Sequence, residues 1–149
     1  MISIDKIDHV GIRITERDRA LAFYRILGFK PFIEVDFDEV IIIKNDADVE
    51  LNLIVNGVSQ DGGKNLLMDV PVKYTGITHI ALRVSDFPAM LATLQSNSIK
   101  ITQGPVTFGD GHVSVFFRDP DRNVIELRAR MLAHDAEKIE GLVFYDPKA

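Results

Sequence analysis

The sequence predicts an α+β protein made of two successive β-α-β-β-β modules, and three features predict it. From His9 to Phe29, HVGIRITERDRALAFYRILGF passes from period-two alternation into a helical pattern and stops at a glycine. The pattern starts again at Ile77, where ITHIALRV repeats the histidine, the small residue and the arginine of HVGIRI at the same spacing. Each half then closes on an apolar strand that carries a glutamate, Glu50 in DVELNL and Glu126 in VIELR.

Bulk properties set the frame. With 149 residues, of which 46% are apolar, the chain reads as one domain. Its first module covers about 7–55, a linker 56–76, the second module about 77–128 and a tail 129–149. A net charge of −5 with no Lys/Arg cluster argues against duplex nucleic acid or a membrane surface as partner. The absence of cysteine leaves only N and O atoms for metal ligation and suits a reducing compartment. MISIDKIDHV has no apolar signal core preceded by basic residues, and no apolar run reaches spanning length, so the expectation is a cytoplasmic protein.

The elements follow in order. In His9–Ile14, alternation sends Val10, Ile12 and Ile14 to one face and His9, Gly11 and Arg13 to the other. Thr15 and Asp18 resemble a capping box ahead of a helix from about Arg17 to Leu27, which Gly28 ends in the left-handed region while Phe29 folds back. Strands are expected at 30–35, 39–43 and 49–55, with FDE and KNDAD as turns. The linker NGVSQDGGKNLLMDVPVKYTG is rich in turn formers, which predicts a surface crossing in preference to a lid or strap. In the second half, Asp86 and Pro88 open a helix with Met90, Leu91 and Leu94 inward, and Asn97 is expected to take the left-handed stop. Strands at 99–102, 112–118 and 123–128 follow, with GPVTFGDG and DPDRN as turns. In the tail, Leu142, Val143 and Phe144 are expected to cover a sheet edge or meet a partner subunit.

The same parity that buries Leu51, Leu53, Ile125 and Leu127 leaves Glu50 and Glu126 on the face of the histidines. A sheet curved around that face would gather His9, Glu50, His79 and Glu126. Singly, a strand histidine is a half-buried hydrogen-bonded group and a strand glutamate a solvated one. Recurrence of both types in two repeats, beside Gly11 and Ala81, selects a site instead. Two imidazoles and two carboxylates suit zinc, nickel, cobalt, iron(II) or manganese better than calcium or magnesium, with zinc or nickel first.

The run His9-Val10, Ile12, Ile14, Ala20, Phe23-Tyr24, Leu27-Gly28-Phe29 resembles the N-terminal signature of glyoxalase I, and FRDPDRNVIEL from Phe117 to Leu127 resembles its last hairpin. Over about Ile7 to Arg128 the chain resembles the vicinal oxygen chelate superfamily of glyoxalases, bleomycin-resistance proteins and extradiol dioxygenases. The resemblance implies paired βαβββ modules in a curved, cup-shaped mixed sheet with helices outside, a homodimer, and metal ligands at His9, Glu50, His79 and Glu126. It also implies a lactoylglutathione lyase-like reaction, in which a 2-oxoaldehyde–thiol hemithioacetal is isomerised through a metal-bound enediolate. Glu126 is the expected base and Glu50 the alternative. Arg13 stands where glyoxalase I has an arginine that holds a carboxylate of glutathione; an ion pair with a nearby acid is the plain reading of the same residue.

Two departures stand out. The family's asparagine four residues after the first-half glutamate is Ile54 here, with Asn52 and Asn56 close by, which weakens glutathione as the thiol. Arg122 replaces the usual glycine in DPDRN and is expected to strain the turn. His112 reads as a strand-edge histidine, and His134 is given no role. The enzyme alternative is an extradiol dioxygenase using His9, His79 and Glu126. The alternative outside catalysis is a metal-free ligand-binding protein of the bleomycin-resistance kind.

Overall fold

Alternation in the strands and helical spacing between them each dedicate one face to burial; the strands at 40–44 and 50–54 follow that pattern, whereas consecutive residues of the strands at 112–118 and 124–130 are buried on both faces. The computed structural model describes residues 1–35, 39–59 and 61–148 and divides into two units, Met1–Lys64 and Asn65–Ala149. Each unit contains one helix and one mixed sheet, as the α+β reading expects.

In the first unit, β1 (Val10–Arg13), α1 (Arg17–Ile26), β2 (Lys30–Val35), β3 (Val40–Lys44) and β4 (Glu50–Ile54) follow one another. The sheet order is β1-β4-β3-β2, with β1 and β4 parallel and the other pairs antiparallel. Ile12, Ile14, Ile41, Ile43, Leu51 and Leu53 are buried, together with Ala20, Phe23 and Tyr24 of α1. Gly28, at φ +90°, ends the helix, and Phe29 returns so that its N–H meets the Tyr24 carbonyl at 3.0 Å and its ring meets the Tyr24 ring edge-on.

The cap differs from expectation. Glu16, with extended backbone, is the N-cap residue, and its carboxylate accepts from the N–H groups of Asp18 (2.9 Å) and Arg19 (2.7 Å). The N–H of Arg19, then that of Asp18, holds the Glu16 carboxyl below its usual range. Thr15 sits one residue too early for that role, and its hydroxyl accepts from the Arg19 guanidinium at 2.9 Å. Most of the expected FDE turn lies outside the described residues.

In the second unit, β5 (His79–Arg83), α2 (Phe87–Ser96), β6 (Ile101–Thr107), β7 (His112–Arg118), β8 (Val124–Arg130) and β9 (Val143–Phe144) form a sheet of order β5-β8-β7-β6-β9 beside the helix. Asp86 caps α2 through the Ala89 N–H at 3.0 Å. The left-handed residue is Ser98 (φ +55°), not Asn97, whose backbone and side-chain N–H groups both close on the Thr93 carbonyl. GPVTFGDG is only partly a turn, since its first four residues belong to β6. Gly104 (φ +99°) serves close passage against β7: a Cβ there would lie 2.5 Å from the Ser114 carbonyl oxygen.

The linker does more than cross a surface. Asn65 and Asp69 fasten its second part to the β7–β8 hairpin: Asn65 Nδ2 donates to the Arg122 carbonyl (3.1 Å), and Arg118 Nη2 donates to Asp69 Oδ1 (2.8 Å). In the tail, a 3-10 turn at Ala133–Lys138 leads to β9, which pairs in parallel with the β6 edge. The expected edge cover is therefore made by backbone, and the side chains of Val143 and Phe144 stay exposed. Among the described residues, no helix is long and apolar enough to cross a membrane.

Candidate functional site

On β1 and β4 of the first unit, the residues opposite the buried set are Gly11, Arg13, Glu50, Asn52 and Ile54, with His9 just ahead of β1. His9 Nδ1 lies 2.6 Å from Asp8 Oδ1 and 4.0 Å from Glu50 Oε1. One ligand atom from each of Asp8, His9 and Glu50 falls within 4.8 Å of the others, close enough to share one cation. Sequence reasoning missed Asp8: it lies ahead of β1, which begins at Val10, and alternation separates neighbours only inside a strand. The His9 ring, by hydrogen bonding first and charge second, holds the Asp8 carboxyl below its ordinary value.

Glu50 is also engaged on its other side. Lys44, its register partner on β3, places Nζ 3.4 Å from Glu50 Oε2 and 3.2 Å from Asp48 Oδ1. Asp48 chiefly, with help from Glu50, raises the Lys44 ammonium above its ordinary value. Arg13, the expected substrate residue, donates from Nε to Asn56 Oδ1 at 2.9 Å, so its plane is oriented by an amide.

The second unit holds a tighter group. His79 Nε2 lies 3.1 Å from Glu126 Oε2, and its other ring nitrogen is 2.9 Å from Thr78 Oγ1. Glu126 is 5% exposed, and its other oxygen accepts from Ser114 Oγ at 2.5 Å. Arg128 Nη1 stands 3.8 Å from that oxygen while Nη2 pairs with Asp110. The Phe116 ring meets the His79 ring edge-on at 5.6 Å. Burial of a carboxylate is costly unless it is hydrogen-bonded and paired, and β8 supplies both through its neighbours β7 and β5. Ser114 was missed from sequence because its signal is its register partner Arg128, two pairs along from Glu126, which exists only once β7 and β8 are zipped. His112 bonds the Asp110 carbonyl (3.0 Å), and His134 is exposed beside Asp135; among the described residues neither joins a group of three or more metal-capable side chains.

Register separates the two glutamates. In the second unit, Ala81 stands opposite Glu126 and Ile80 opposite Ile125. In the first, Gly11 stands opposite Asn52 and Val10 opposite Leu51. With His9 matched to His79, the residue in the position of Glu126 is Asn52, and Glu50 falls in the position of Val124. The antiparallel neighbours agree: Asn52 faces Ile42 as Glu126 faces Phe116. Among the described residues, Asn52 Oδ1 is shielded from solvent and accepts no hydrogen bond. Asn56, the partner of Arg13, lies four residues beyond Asn52. Imidazole nitrogens and carboxylate oxygens, as in the Asp8, His9 and Glu50 group, make a donor set suited to a divalent ion.

The Glyoxalase/Bleomycin resistance protein/Dioxygenase superfamily model matches residues 6–127. Among solved structures, a glyoxalase/dioxygenase from Nostoc punctiforme is 22% identical, with TM-score 0.68 over 85% of this chain and 92% of that one. A lactoylglutathione lyase from Agrobacterium tumefaciens is 19% identical, with TM-score 0.61 over 85% and 94%. A genomically encoded fosfomycin resistance protein from Listeria monocytogenes is 14% identical, with TM-score 0.65 over 87% and 97%. These likenesses speak to the fold. No curated protein matches the sequence.

Proposed function

The chain belongs to the glyoxalase/bleomycin resistance protein/dioxygenase superfamily, and from that premise we propose that it is a divalent-metal-dependent enzyme of the glyoxalase kind. Its substrate class is a small 2-oxoaldehyde–thiol adduct, and its reaction is a proton shift between adjacent carbons. The observation that carries this reading is the second-unit group, a buried glutamate with one oxygen on a histidine and the other on a serine hydroxyl. The candidate ligands are His9 and Glu50 in the first unit and His79 and Glu126 in the second. When bound, zinc or nickel supplies Lewis-acid stabilisation of charge developing on substrate oxygens, worth several kcal/mol.

The remaining work falls to side chains. Glu126 takes the carbon-bound proton, and Ser114 fixes the carboxylate orientation in which it does so; Glu50 is the alternative base. Arg13, oriented by Asn56, receives a carboxylate of the substrate in a charge-assisted pair. A homodimer in the cytoplasm completes the proposal.

A second reading has its own support. Because Asn52 occupies the position of Glu126, the carboxylate-bearing set shrinks to His9, His79 and Glu126, which suits a dioxygenase of the two-histidine, one-carboxylate type. The test is metal analysis of protein purified without chelator, then assay with methylglyoxal and glutathione or another small thiol. One ion per chain and thioester formation are expected, with Glu126→Gln lowering turnover by about 10²-fold or more. Oxygen uptake with a catechol and no thioester would select the second reading. Protein that takes up no metal and binds ligand unaffected by Glu126→Gln is a sequestering protein, and the catalytic proposal fails.

A further inference from the structure

We propose that the second unit carries an anion-binding strip, built from Arg83, Arg128 and Arg130 on the sheet face that also holds His79 and Glu126, and that the strip receives the phosphoryl group of a small-molecule ligand. The proposal goes beyond the reaction described above and requires no metal ion. Register assembles the strip. Across β5, β8 and β7, the residues Ala81, Glu126 and Phe116 stand abreast. Two residues on, Arg83, Arg128 and Ser114 form the next row, and Arg130 stands opposite His112 beyond it. Partners abreast share a face, and residues two apart on a strand return to it, so the arginines follow the carboxylate along one surface. Neighbouring strands lie about 4.8 Å apart and residues two along about 6.7 Å, spacings that long arginine side chains bridge.

Arg83 and Arg130 are exposed, and among the described residues neither has a side-chain hydrogen bond or ion pair. Arg128 is held: its Nη2 pairs with Asp110, and its Nη1 stands 3.8 Å from Glu126 Oε1. The Asp110 loop is fixed in turn, since the Asp110 carbonyl meets His112 Nδ1 at 3.0 Å and the Met131 N–H donates to the Gly111 carbonyl at 2.9 Å. One guanidinium is therefore oriented in advance, and two are free to close on a ligand. The three cations face two carboxylates, Asp110 and Glu126, and the Glu126 oxygens are already engaged by Ser114 and His79, so the strip is net positive. A single guanidinium fork satisfies the two oxygens of a carboxylate; three forks together match the three oxygens of a phosphoryl group.

Titration of the full chain with inorganic phosphate, followed by phosphorus NMR, tests the assignment. Saturable binding is expected, weakened about tenfold by Arg83→Gln and by Arg130→Gln, each of which removes a charge-assisted contact. Arg83→Lys, which keeps the charge and loses the fork, is expected to weaken it less. Arg25→Gln, which removes an exposed charge from α1 in the first unit, is expected to leave it unchanged. Circular dichroism checks that each variant is folded, which the exposure of Arg83 and Arg130 favours. Phosphate that fails to bind the parent, that binds Arg83→Gln and Arg130→Gln as it binds the parent, or that loses as much on Arg25→Gln would overturn the proposal. Acetate bound as tightly as phosphate would overturn the phosphoryl assignment. None of these readouts involves metal or turnover, so the strip can fail while the metal-dependent reaction stands, and the reverse.

Discussion

Ser114 donates its hydroxyl to Glu126 at 2.5 Å from the neighbouring strand, and both side chains are buried. The hydroxyl is a hydrogen-bond donor to one oxygen, which leaves the other facing His79. Ser114→Ala would strip a buried carboxylate oxygen of that donor, and the Arg128 guanidinium stands no nearer to it than 3.8 Å. We expect a loss of about 1–3 kcal/mol in unfolding free energy. We also expect metal affinity to fall by about 10–100-fold, as for other groups that orient a ligand. Urea unfolding and cobalt titration on one preparation measure both; an unchanged affinity would mean that Ser114 only satisfies burial.

Asp69 ties the linker to β7. Burial pushes its carboxyl up, but the Asn65 N–H and the charges of Arg118 and Arg122 outweigh this and hold it below its ordinary value of 3.8. The stability that this carboxylate contributes is therefore complete above about pH 3.8 and is lost as pH falls through the lower folded value. Asp69→Asn should cost about 1–3 kcal/mol at neutral pH. Its deficit should shrink below pH 3.8, which unfolding curves at pH 7, 5 and 3 would show; a deficit constant across that range would assign the effect to packing.

Arg122 holds φ at +69°, a conformation in which a side chain is strained and glycine is not. Its carbonyl, which accepts from Asn65 and Arg118, is kept by any substitution, and its guanidinium reaches Asp69 only at 3.9 Å. Arg122→Gly is therefore expected to stabilise the chain by about 1 kcal/mol, since the relieved strain exceeds an exposed ion pair. The denaturant midpoint should rise at constant slope. A fall would show that the Asp69 contact outweighs the strain.

Periodicity carried much of the fold. Val10-Gly11-Ile12-Arg13 and His79 to Arg83 are strands because alternation has one partition of side chains that buries the apolar set. Glu16 and Ser98 escaped because caps depend on which residue leaves helical geometry, a choice made within a residue of the composition signal. Gly104 was read as a turn glycine because a close passage between strands and a turn ask for the same residue.

The sequence by itself determined the two β-α-β-β-β patterns, their helices, and the strand face that carries Glu50 in one sheet and Glu126 in the other, because side-chain parity is a property of one strand. Only the tertiary structure decided which residue of β4 corresponds to Glu126. Parity repeats every two residues, so Glu50 and Asn52 share a face, and only hydrogen-bonded register between β1 and β4 tells them apart. Ser114 beneath Glu126 and Asn56 beneath Arg13 belong to the same class: long-range partners that exist only when strands and loops have paired.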